Sequence, residues 1–140
     1  MQLTRSFWWA LASLLLMVIG AVGPWAKVLG ITIDGTDDGK DGWIVLVAAI
    51  IAGVVVLIQV LTHRRWLAVV PLLAGLVGGA TAAYDVSDIN SLASGSLGGV
   101  LVSTEWGIYI ALIGSVSLAL AAIGLFIETK RRAPVAPSSG

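Results

Sequence analysis

The sequence predicts an all-α integral membrane protein, a bundle of four membrane-crossing helices in a single domain over residues 1–132. Both termini are expected to be cytoplasmic, with two extracytoplasmic loops. Three observations predict it. Of the 140 residues 58% are hydrophobic and 11% charged, whereas about a quarter are charged in soluble domains. The apolar residues fall into four runs of bilayer length. The charges and tryptophans between those runs segregate as they do in a threaded membrane protein.

The first run covers residues 6–23 and follows Arg5. A helix needs about 20 apolar residues to cross the hydrocarbon core. Ala21-Val22-Gly23 imitates the cleavage site of a secretory signal. Pro24 follows directly, however, and apolar character continues from Trp25 to Ile33. The helix is therefore read as retained and as ending at Pro24, which lacks a backbone donor and disfavours helix at the residue before it.

The connection that follows, GPWAKVLGITIDGTDDGKDGW from Gly23 to Trp43, holds Asp34, Asp37, Asp38, Asp41, Lys27, Lys40 and three Asp-Gly pairs. Ile31-Thr32-Ile33 alternates apolar and polar, and Asp34-Gly35 is a turn signal. Together they predict a short β-hairpin turning back at that pair. Residues 43–61 make the second crossing, and Thr62-His63-Arg64-Arg65 is a tight basic turn. Residues 66–84 make the third crossing, with a kink expected at Pro71.

The second loop, Asp85 to Glu105, has three acids and no lysine or arginine. Its apolar residues Ile89, Leu92, Ala93, Leu97, Val100 and Leu101 recur at helical spacing, as in a segment lying in the membrane interface. Gly95, Gly98 and Gly99 oppose that helix, each costing about 1 kcal/mol against alanine. Residues 106–127 make the fourth crossing. Glu128 to Arg132 form a basic stop, and residues 133–140 read as a disordered tail.

The charges set the threading. One face takes Arg5, Arg64, Arg65, Lys130, Arg131 and Arg132, and the other takes only Lys27 and Lys40. Six against two places the first face inside. Asp34, Asp37, Asp38, Asp41, Asp85, Asp88 and Glu105 fall outside, making that surface acidic. Trp8, Trp9 and Trp66 are assigned to the inner aromatic belt, and Trp25, Trp43 and Trp106 to the outer one. Small-residue stripes supply the packing surfaces that helices need in lipid. They are Ala49-x-x-x-Gly53, Gly75-x-x-x-Gly79 and Ala111-x-x-x-Ser115-x-x-x-Ala119, read first as internal seams and second as a homo-oligomer surface.

The chemistry on offer is sparse. There is no cysteine for a disulfide, thiolate metal site or thiol nucleophile, and the one histidine, His63, has no partner nearby in sequence. No ionisable residue falls in the middle of a crossing, where ion and proton pathways usually place one. Gln59 is the one strongly polar side chain within a crossing. Asp34, Thr36, Asp38 and Gly39 match the opening of a calcium-loop pattern, but its twelfth position is Val45 where a bidentate glutamate is required. Calcium at Asp34, Asp37, Asp38 and Asp41 is weighed below a solvated loop of Asp-Gly turns. The inner basic residues read as topology anchors and not as a nucleic-acid surface.

Four motifs carry a resemblance: GPWA-x-V-x-G (Gly23 to Gly30), DGW (Asp41 to Trp43), YD-x-x-DI (Tyr84 to Ile89) and WG-x-Y-x-x-L-I-G (Trp106 to Gly114). The chain resembles small four-crossing membrane proteins of high-GC Gram-positive bacteria. That resemblance implies topology and not activity. The first function expected is a non-enzymatic interaction or accessory subunit of the cell membrane, binding a membrane or envelope protein partner through Asp34, Asp37, Asp38, Asp41, Asp85 and Asp88. A small channel or transporter component comes second, and a divalent-cation-binding membrane protein third.

Overall fold

The computed structural model describes residues 4–37, 40–95 and 102–131. Four helices, each long and apolar enough to cross a membrane, carry a small three-stranded sheet at one end of the bundle. Two of its strands form the hairpin expected in the first loop, and the third is an addition to that expectation.

Helix α1 (Arg5–Val22) begins where the Thr4 side chain accepts a hydrogen bond from the Phe7 amide at 3.2 Å. This satisfies one of the donors that a helix start leaves open. It stops at Gly23, whose backbone is already extended. Strands β1 (Pro24–Val28) and β2 (Ile31–Asp34) then pair antiparallel, Val28 opposite Ile31 and Lys27 opposite Thr32. The expected hairpin therefore forms, but its turn is Leu29-Gly30 and not Asp34-Gly35. Leu29 and Gly30 have φ of 52° and 84°, the two positive values of a type I′ turn. Such turns usually carry Asn-Gly, so leucine at the first position conceals the turn in the sequence.

Helix α2 (Gly42–Thr62) ends at His63, which is left-handed (φ 53°) and donates its amide to the Gln59 carbonyl at 2.8 Å. A 3-10 turn (Arg65–Ala68) leads into α3 (Val69–Ala93). Pro71 lies in the first turn of α3, where a missing N–H forfeits no helical bond. The local irregularity is the 3-10 turn before Pro71.

The third helix does not end at Tyr84. It runs nine residues further, so Asp85 and Asp88 stand on a helix and not in a loop. The reason is packing. Ala82, Asp85 and Ile89 are buried and continue the inward stripe of Ala74, Gly75 and Gly78, while the Thr104 hydroxyl donates to the Asn90 side-chain oxygen at 3.1 Å. The first part of the expected interfacial segment thus belongs to α3, and Leu97, Val100 and Leu101 lie outside the described residues, as does the tail. Strand β3 (Val102–Thr104) pairs with the other side of β1, giving the order β2-β1-β3. Helix α4 (Trp106–Arg131) extends four residues beyond the predicted Ile127.

The helices form a ring in which each packs on its neighbours in sequence and α4 closes onto α1. The α1–α4 contact is the most extensive, and glycines make it close. A methyl group on Gly20 would overlap the Ala111 backbone, and one on Gly114 would come within 2.7 Å of the Met17 nitrogen. The Trp9 indole donates to the Ser117 hydroxyl at 2.7 Å, and the Ser13 and Ser117 hydroxyls are 2.9 Å apart. On its other side α4 receives α3, with Gly75 against Ser115 and Ala119. The stripes on α3 and α4 therefore meet each other inside the bundle. Gly53 of α2 has only a loose contact, with Leu14.

Candidate functional site: the sheet end of the bundle

The sheet end is assembled around a buried tryptophan. Trp25 is 0% exposed and donates its indole N–H to the Gly20 carbonyl at 2.8 Å. This occupies a carbonyl that the end of α1 would otherwise leave open. The belt position assigned to Trp25 from the sequence is thus corrected: the ring is a plug under the sheet. Trp43 and Trp106 remain exposed at this end, and Trp8, Trp9 and Trp66 are exposed at the other.

Backbone hydrogen bonds lock the plug in place. Gly35 donates to the Gly23 carbonyl at 3.0 Å, Gly42 to Gly35 at 2.9 Å, and Glu105 to Trp25 at 3.0 Å. Gly35 and Gly42 have no room for side chains, because a methyl on Gly35 would overlap Trp25 and the Ala21 carbonyl. The two glycines of Asp34-Gly35 and Asp41-Gly42 therefore serve close approach, with no positive φ at either. The Trp43 indole donates to the Thr36 carbonyl at 2.8 Å, fixing the return into α2.

The aspartates divide by role. Asp37 accepts the Asp34 amide through Oδ2 at 2.7 Å, and its own amide donates to the Asp34 carbonyl at 3.1 Å. It is a turn-forming aspartate. Asp37, Asp41 and Asp88 are exposed, and Asp34 is half-buried. Asp38 lies outside the described residues. Asp85 is buried, against its expected place on an exposed recognition surface. Its carboxylate faces the start of α2, where the Asp41 amide lies against it and the charges of Asp41, Lys40 and Asp88 act on it. Asp41, the N-cap of α2, makes no side-chain capping bond of its own. Asp85 Oδ2 has no hydrogen-bond partner among the described residues.

Among the described residues no three histidine, aspartate or glutamate side chains are placed to hold a metal ion. The proposed calcium ligands Asp34, Asp37 and Asp41 are not gathered into one cage. Val45, at the twelfth position of the calcium pattern, is fully buried in α2.

The opposite end displays Arg5, His63, Arg64, Arg65 and Lys130, all exposed. Gln59 is buried there with both amide atoms unpartnered among the described residues. Sequence reasoning missed two features of the sheet end, namely β3 and the tip of the hairpin. The tip exposes Leu29 (69%) and Ile31 (70%) side by side. The signal for it was the pair of apolar residues flanking Gly30, which is readable only once the turn is placed there. No protein-family model, curated protein sequence or solved structure matches the chain.

Proposed function

We propose that the chain is a multi-pass cell-membrane protein, with both termini inside, that acts as a non-enzymatic interaction or accessory subunit through its extracytoplasmic sheet end. The observation that carries this reading is that the sheet end is built and not loose. A three-stranded sheet is pinned by Trp25 over α1, and Asp37, Asp41 and Asp88 are exposed around it. A rigid surface presents recognition groups at low ordering cost. The threading is supported by the gathering of Arg5, Arg64, Arg65 and Lys130 at one end and the aspartates at the other, in the sense of the positive-inside rule. The partner surface is now Asp34, Asp37, Asp41 and Asp88. Asp85 leaves it because it is buried, and Asp38 stays in the proposal on sequence alone.

The test is crosslinked capture from native membranes with the parent and a D37K/D41K/D88K variant. One partner recovered with the parent and lost with the variant, at unchanged melting temperature, is the expected result. Equal recovery from both would remove the acidic surface from the interaction. Ion flux through liposomes holding only this protein would favour the channel reading instead.

A further inference from the structure

The two edges of the sheet are treated differently by the fold. Beyond β3 stands α3, packed against it and joined to it through Thr104 and Asn90. Beyond β2 no element packs to a comparable extent among the described residues. Open edges are template surfaces for further strands, and proteins usually blunt them with lysine, proline, a bulge or a cover. Ile31-Thr32-Ile33 has no such residue, and the one bulge of the hairpin lies in β1, between Pro24 and Ala26.

The register shows what the edge offers. In a two-residue type I′ hairpin the closing pair, here Val28 and Ile31, exchanges both hydrogen bonds. Alternation then makes Lys27 and Thr32 a non-hydrogen-bonded pair, so the Thr32 N–H and C=O point away from β1 along the open edge. The next outward residue, Asp34, has its amide taken by Asp37 and its carbonyl taken by the Asp37 amide. The usable edge is therefore short and centred on Thr32. Leu29 and Ile31 extend it with exposed apolar surface, and leucine holds the left-handed position there despite a cost of about 1–2 kcal/mol.

A backbone donor and acceptor spaced as in a strand are matched by another extended backbone. We propose that the occupant is β2 of a second copy of this chain, joined antiparallel about a two-fold axis at Thr32. Self-pairing in that register sets Thr32 against Thr32 and Ile31 against Ile33, like with like on each face. Threonine pairs and β-branched pairs stabilise antiparallel strands. It opposes no charge directly, since the acids begin at Asp34 and meet Gly30. The two sheets become one of six strands. This association uses the hairpin and not the exposed aspartates, so it stands apart from the partner surface proposed above.

The chain has no cysteine, so a single introduced one reports cleanly. T32C, K27C and S103C, full length and at equal protein-to-lipid ratio in liposomes, would be exposed to a mild oxidant. Paired strands hold opposed Cα atoms within disulfide reach. Disulfide-linked dimer from T32C, with K27C and S103C remaining monomeric, is the expected result. A T32P variant, which removes the outward N–H and no bond within the hairpin, should lose the dimer seen by amine crosslinking of the cysteine-free chain. Monomeric T32C, or equal crosslinking of S103C, overturns the proposal. If T32C stays monomeric while T32P abolishes partner capture, the edge takes a strand from another protein, and the second copy is excluded. Capture lost with the lysine variant while T32C stays monomeric would leave the acidic-surface reading intact and this one refuted.

Discussion

The base and the tip of the sheet end are only a few residues apart, yet they are built by opposite rules. At the base, Trp25 is sealed under the sheet and hydrogen-bonded, and Gly35 and Gly42 admit no side chain. At the tip, Leu29 and Ile31 stand in the open, and a methyl added to Gly30 would meet nothing. Close packing at the base fixes the sheet on the bundle. The tip contributes no such packing, so its apolar residues are free for contacts outside the chain. The difference separates residues that hold the platform from residues that the platform displays.

The largest effect should come from removing the plug. Trp25→Ala leaves a cavity beneath β1 and strands the Gly20 carbonyl, and aromatic truncations of this kind cost about 3–5 kcal/mol. Thermal unfolding in detergent, with hydrogen exchange on Ala26 and Ser103, would show the sheet loosening from the bundle. A loss below that of an exposed substitution would break the contrast between base and tip. Next is Gly35→Ala, where the added methyl must displace the indole or the Ala21 carbonyl. Overpacking of that sort costs about 1–3 kcal/mol, and the same substitution at Gly95, which has only one ordinary contact, serves as the control.

How much of this was legible in the sequence depends on the range of the interaction. The four helices long and apolar enough to cross a membrane follow from runs of apolar residues, and α1 and α2 lie within one residue of their expected bounds. The end of α3 was misplaced because Asp85 is charged, and a charge reads as the end of a crossing. Only the three-dimensional neighbourhood reveals that Asp85 faces the start of α2. The role of Trp25 was hidden in the same way: sequence position alone puts a tryptophan after a helix at the interface, whereas the sheet above it is what buries it. Strand β3 is three residues long and pairs with a strand more than 70 residues earlier, beyond any local pattern. The acidic character of the candidate surface was legible, and the burial of Asp85 within it was not.

At the tip the expected sign reverses. Leu29→Asn keeps the type I′ turn and replaces a residue that disfavours φ of 52° with one that tolerates it, so the protein should gain about 1 kcal/mol. A rise in melting temperature checks this. A fall would mean that Leu29 packs within the chain, and the tip would then share the rule of the base.

The smallest effect is expected at Asp37, on the path from β2 to α2. Its carboxylate accepts the Asp34 amide, and an exposed bond of this type contributes about 0.5–1 kcal/mol. Asp37→Ala should lose it, whereas Asp37→Asn keeps an oxygen acceptor and should stay near the parent. Running the three proteins with and without millimolar calcium separates the turn from a cation site. For a turn, calcium leaves all three melting temperatures in place and alanine alone is lower. For a cation site, the parent rises with calcium and both variants lose that rise, because the amide oxygen replaces the hydrogen-bond acceptor but not the charge. The geometry favours the first pattern: the Asp37 oxygen is already committed to the backbone, and Val45 occupies the position where a bidentate carboxylate would close a calcium loop.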